Sequence, residues 1–82
     1  MSKIDKLLAK LHNTSGSFTW DELASLLGKL GYTTAQGSGS RVKFDNGNPA
    51  EMINLHRPHP GNELKKYAKE QVIEKLKLGG HL

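Results

Sequence analysis

Gly39-Ser40-Arg41-Val42-Lys43-Phe44 alternates basic and apolar side chains after a glycine–serine turn, and Leu55-His56-Arg57-Pro58-His59-Pro60 follows about a dozen residues later. Alternation marks a half-buried strand, because successive side chains leave a strand on opposite faces. Val42 and Phe44 therefore share one face, and Arg41 and Lys43 share the other. The second stretch closes another strand, residues 51–56, with Ile53 and Leu55 inward and Met52, Asn54 and His56 outward. A slip of one residue would turn Ile53 and Leu55 to water, so the apolar pattern sets the register. Between the two strands, Asn46-Gly47 is a hairpin signal, and Pro49 closes the loop.

Outward from this pair, Gly37-Ser38-Gly39-Ser40 reads as a hairpin turn back to a strand over residues 32–36. It lacks the G-K-[ST] ending of a phosphate-binding Walker loop. Residues 2–12 carry Ile4, Leu7, Leu8 and Leu11 at helical spacing, and residues 13–17 break that helix. Thr19 and Glu22 have the spacing of a capping box, with Phe18 placed to staple onto Leu23. The second helix then shows Trp20, Leu23, Leu26, Leu27 and Leu30 on one stripe, which makes Trp20 a core anchor, and Gly31 ends it. Pro58 to Gly61 ends the sheet. Asn62 is placed to cap a final helix over residues 63–78, with Leu64, Tyr67, Ala68, Val72 and Leu76 as its core stripe and Gly79-Gly80 as its stop. The prediction is a single α+β domain over residues 1–82, in the order α-α-β-β-β-α, with a three-stranded antiparallel sheet packed on helices.

Twelve Lys and Arg against eight Asp and Glu give a formal net charge of +4. A small basic domain tends to meet an acidic partner. The chain has no cysteine, which removes disulfides and cysteine-based zinc sites and fits a reducing cytoplasm. No apolar run approaches a membrane span, and the N-terminus does not read as a secretory leader, so no membrane association is expected.

An antiparallel meander covered by helices on one face leaves the other face wet. Arg41, Lys43, Met52, Asn54 and His56 share that face, and Arg57 and His59 lie at its margin. Guanidinium, ammonium and imidazole groups gathered there suit a phosphodiester backbone. Metal-free RNA cleavage needs a base for the 2′-hydroxyl, an acid for the leaving oxygen and a cation for the developing charge. Histidine ionises near neutrality, so His56 and His59 are the candidate catalytic residues. Ser40, Arg41, Lys43, Asn54 and Arg57 are the candidate RNA contacts. A zinc site would need ligands beyond these two histidines, so neither a metal nor another cofactor is expected.

The helix Trp20-Asp21-Glu22-Leu23 to Leu30-Gly31-Tyr32, then Gly39-Ser40 and Phe44, then His59-Pro60 before the last helix, resemble the HicA family of toxins from bacterial toxin–antitoxin systems. The likeness covers about residues 19–80 and leaves residues 2–12 as an N-terminal addition. It implies a fold similar to a double-stranded-RNA-binding domain, ribosome-independent cleavage of mRNA in the cytoplasm, and neutralisation by a HicB-type antitoxin. The family's usual motif is G-S-H, whose histidine is taken as catalytic; here Arg41 fills that slot. Arginine does not deprotonate in proteins, but it holds phosphate bidentately. One reading moves the chemistry to His56 or His59, and another leaves the activity weak. The alternative is a non-catalytic module of the same fold that binds RNA or docks an antitoxin. DNA binding by the two N-terminal helices is weaker still, since Lys29 is nearly alone on the second helix as a group able to read base edges.

Overall fold

The capping box forms as its spacing predicts. In the computed structural model, the Glu22 amide donates to Thr19 Oγ1 at 3.2 Å and the Thr19 amide donates to Glu22 Oε1 at 2.9 Å. Two of the donors that every helix start leaves open are thereby satisfied. Helix α2 runs Trp20–Lys29 and buries Trp20, Leu23, Leu26 and Leu27. Its end is a Schellman motif: the Gly31 amide donates to the Gly28 carbonyl and the Tyr32 amide to the Leu27 carbonyl, with Gly31 at φ +94°. Thr19→Ala is expected to cost about 1 kcal/mol. In a domain of this size that lowers the thermal midpoint by roughly 4–8 °C in a calorimetric or circular-dichroism melt.

The structure describes residues 3–13, 16–59 and 61–82. Met1 and Ser2 before the first helix, Thr14 and Ser15 in the break after it, and Pro60 in the basic loop lie outside the described residues. Helix α1, Lys3–His12, packs Leu11 fully into the core, with Ile4, Leu7 and Leu8 partly buried against it. Lys10 pairs with Glu22. That hydrogen bond, opposed by partial desolvation, holds the Glu22 carboxyl below its ordinary range.

The sheet is the meander β1 (Thr33–Gln36), β2 (Arg41–Asp45) and β3 (Ile53–His56), in spatial order β1-β2-β3 with both pairings antiparallel. Val42, Phe44, Ile53 and Leu55 are buried beneath the helices. Trp20 meets Phe44 with ring centroids 5.5 Å apart and tilted by 46°, a geometry favoured by the ring quadrupoles. All of β1 is exposed, so the helical layer covers the other two strands more than this one.

Three expectations need correction. The hairpin between β2 and β3 forms, but Glu51 and Met52 belong to its connection and not to β3, which starts at Ile53. Asp45, Asn46 and Asn48 each accept, through a side-chain oxygen, the amide two residues ahead, and a 3-10 turn, Pro49–Glu51, follows. Short polar side chains here outcompete strand pairing for the backbone. Asn62 does not cap the last helix. Its side chain donates to Asp21 Oδ2 at 3.1 Å and its carbonyl accepts from the Trp20 amide at 2.7 Å. Helix α3 starts later, at Lys66, and runs to Leu78 behind Lys65, which makes no side-chain cap.

The third correction is Tyr67, which is 64% exposed rather than in the core. Leu64 is buried, but in an extended segment whose amide donates to the Phe18 carbonyl at 2.9 Å. It therefore cannot set the phase of α3. The buried stripe is Ala68, Lys69, Val72, Ile73 and Leu76. At roughly 100° per residue, Tyr67 falls on the opposite side. Lys69, only 3% exposed, reaches across to donate to the Gly16 carbonyl.

Candidate nucleic-acid interface

Turn and strand together build this surface. Gly37 to Ser40 connect β1 to β2, closed by the Gly37 amide on the Arg41 carbonyl at 2.8 Å and the Arg41 amide on the Ser38 carbonyl at 3.2 Å. Gly39 adopts φ +61°, a conformation costly for a residue with a Cβ. The turn delivers Ser40 to the end of β3. There the Ser40 carbonyl accepts the Arg57 amide at 2.7 Å, and Ser40 Oγ shares a hydrogen bond of 3.2 Å with His56 Nδ1.

Cross-strand register decides which side chains meet. Arg41 lies opposite His56, and Lys43 lies opposite Asn54. Directly opposed residues share a face, with Cβ atoms about 4.5–5.5 Å apart. All four side chains are exposed, while Val42 and Leu55 between them are buried. Ala35 of β1 faces Lys43 from the other side and extends this face across the sheet. Arg57 and His59 are exposed just beyond β3. Met52, expected on this face, lies outside the strand and is half-buried.

Three shallow depressions converge here. One, of about 340 Å³, takes Arg41, Lys43, Asn54 and His56 on its wall. A second, of about 290 Å³, adds Ser40, Arg57 and His59, and again includes His56. A third, of about 360 Å³, brings Gln36 and Gly39 beside Ser40, Arg57 and His59. All seven candidate residues thus occupy one continuous surface, with Ser40 and His56 where the depressions meet. No carboxylate lines the first or the third depression among the described residues.

The chemistry this permits follows from the hydrogen-bond inventory. The Ser40 contact occupies His56 Nδ1 and leaves Nε2 for a ligand. When Nδ1–H donates to the hydroxyl, Nε2 is a bare acceptor able to take a proton; the reverse sense makes it a donor. The Arg41 guanidinium beside it offers paired donors to phosphate oxygens. Among the described residues, no group of three or more His, Asp or Glu side chains is arranged to hold a metal ion.

Tyr67 and Lys65 also line the second depression, and neither was expected there. The alternation in β2 and β3 exposes strand residues, whereas the edge that α3 adds depends on where that helix starts. That start is fixed by the tertiary pairing of Thr19 with Glu63.

Comparison with known families gives a match to the model of the HicA toxin of bacterial toxin–antitoxin systems, over residues 20–78. No curated protein and no solved structure matches the chain. The matched span begins at the first residue of α2 and ends at the last of α3, so α1 lies outside it although it contributes Leu11 to the shared core.

Proposed function

Because the chain belongs to the HicA toxin family, we propose that it binds RNA on the exposed β2–β3 face, cleaves it there, and is neutralised by a HicB-type antitoxin. The observation that carries this reading is the pairing of Arg41 with His56 across β2 and β3, with Ser40 Oγ 3.2 Å from His56 Nδ1. A phosphate held by Arg41 lies against the imidazole of His56. His56 Nε2 takes the proton of the ribose 2′-hydroxyl, and the 2′-oxygen attacks phosphorus. The bond from phosphorus to the 5′-oxygen breaks, and His59 supplies the proton to that oxygen. Arg41, Lys43 and Arg57 stabilise the charge that builds on the phosphoryl oxygens. The products are a 2′,3′-cyclic phosphate and a 5′-hydroxyl.

Incubating the purified protein with a transcript in the presence of EDTA tests this. Cleavage that survives chelation and leaves cyclic phosphate ends is the expected result. Intact RNA that is retained in a salt-sensitive manner would instead support the non-catalytic reading, which the presence of Arg41 in the family's histidine slot favours. Failure to bind RNA at low salt would remove both. Induction of the chain in growing bacteria is expected to arrest growth, with relief by the cognate antitoxin.

Binding should be graded by position. Arg41→Ala is expected to weaken RNA binding about 10-fold or more, the scale of one charge-assisted contact. It should also flatten the dependence of log affinity on log salt by about 0.7. Lys66→Ala, on the exposed start of α3, should cost less than about threefold. Equal losses, measured by filter binding across a salt series, would mean diffuse attraction rather than a site.

A further inference from the structure

Among the described residues, Tyr67 is the only Phe, Tyr or Trp with an exposed ring, and its setting is charged. Its neighbours Lys65, Lys66 and Glu70 are exposed, while Leu64 and Ala68 are buried. The other large exposed apolar side chains, Leu78 and Leu82, belong to the far end of the chain; Leu78 is about 16 Å along the helix axis from Tyr67. The ring borders a cleft of about 290 Å³ between the end of β3 and the start of α3, whose wall also carries Ser40, His56, Arg57, His59 and Lys65. Among the described residues, Glu63 is the single carboxylate on that wall, and the cationic groups outnumber it.

An aromatic ring beside a track of cations is how proteins hold unpaired nucleotides. The ring stacks on a base while the cations follow the phosphates. Paired bases present no face to such a ring, because their faces are covered by the stack. His56 lies on the walls of both this cleft and the depression that holds Arg41. The two depressions thus adjoin at His56. We propose that Tyr67 is a stacking platform for an unpaired RNA base next to the bound phosphodiester, with Lys65 and Arg57 on its flanking phosphates. The ligand is thus a single-stranded segment rather than a duplex. This rests on the RNA reading above.

The test uses the whole protein and a short 2′-O-methyl oligoribonucleotide, which cannot be cleaved through its 2′-oxygen. The same strand lacking its bases and a duplex of the same sequence serve as comparisons. Tyr67→Ala is expected to weaken binding to the base-bearing single strand by about 5- to 100-fold. Tyr67→Phe, which keeps the ring, should bind within about twofold of the parent. On the abasic strand and on the duplex, all three proteins should bind alike. Melting curves should coincide, since the side chain lies in solvent.

If Tyr67→Ala binds the base-bearing strand as tightly as the parent, stacking is overturned, while salt-sensitive binding by both leaves the phosphate site standing. If the parent binds neither strand at low salt, the RNA reading falls and this inference with it. Loss of antitoxin binding with RNA affinity unchanged would make Tyr67 a protein contact and also overturn the proposal.

Discussion

His56→Ala is expected to slow RNA cleavage by about 100-fold or more while leaving RNA affinity within about threefold of the parent. The asymmetry follows from the proposed division of labour. Arg41, Lys43 and Arg57 supply the fixed positive charge that holds phosphate, whereas His56 offers one nitrogen, Nε2, for proton transfer, its Nδ1 being engaged by Ser40. Single-turnover rates and equilibrium binding, measured on the same preparation, separate the two effects. On the proposed mechanism, the same register accounts for Arg41 in the slot where the resemblance places a histidine. Positions 41 and 56 are direct cross-strand partners, so an imidazole on either strand begins within about 5.5 Å of the other. Exchanging the pair, Arg41→His with His56→Arg, should therefore recover at least about 10-fold of the cleavage lost in His56→Ala. A His56→Ala protein that cuts at the parental rate would remove His56 from the chemistry. An exchanged pair as inactive as the single variant would show that the two positions are not equivalent around the phosphate.

The parts of the fold legible from sequence are those fixed by stereochemistry over a few residues. The period of two in Arg41 to Asp45 reports a strand with one wet face, and that strand has the expected bounds. Thr19 and Glu22 specify a helix start through bonds they make to each other. Gly31 specifies the helix end because its positive φ suits glycine above other residues. The gathering of Arg41, Lys43, Asn54 and His56 on one face needed only alternation on two adjacent strands and their antiparallel order.

The rest depended on contacts between distant segments. Leu64 has the spacing to start the apolar stripe of α3, yet it is buried by pairing with Phe18, far away in sequence. That pairing, with the bridge from Glu63 to Thr19, holds Glu63 and Leu64 against the start of α2, delays the helix and rotates Tyr67 out of the core. Lys69 reads as a surface residue until the Gly16 carbonyl comes within reach of its ammonium. Glu51 looks like a strand residue, but its carboxylate receives the side-chain amides of Asn46 and Asn48 and faces His81 at 3.7 Å. Burial and this same carboxylate push the neighbouring Tyr32 hydroxyl above its ordinary range. In each case a backbone or side-chain group found a partner that only the assembled fold supplies. The Ser40–His56 bond is of the same kind, joining a turn to a strand end sixteen residues on. The cationic face was thus legible from alternation, and its focus on one imidazole was not.

Phe44→Ala is expected to be the most damaging single change to the fold, costing about 3–5 kcal/mol. Phe44 is 1% exposed, meets the Trp20 ring at 5.5 Å and pairs with Ile53 across the sheet. Its removal opens a cavity at the contact between sheet and α2, where two rigid layers cannot close in. A domain of 82 residues has only about 4–12 kcal/mol of total stability, so this one substitution removes a large share of it. The thermal midpoint should fall by at least about 12 °C, and in urea the midpoint should shift with little change of slope. Lys43→Ala, one residue away on the opposite face, should stay within about 0.5 kcal/mol of the parent. That contrast bears on function as well as on stability. Arg41 and Lys43 point to solvent because Val42 and Phe44 point inward, so the apolar pair holds the cationic pair in place. At temperatures where Phe44→Ala is still folded, it should bind RNA nearly as well as the parent, and it should lose binding along its own melting curve. A Phe44→Ala protein with parental stability would mean that this face of β2 is not the buried one. The register that sets Arg41 against His56 would then be wrong by one residue.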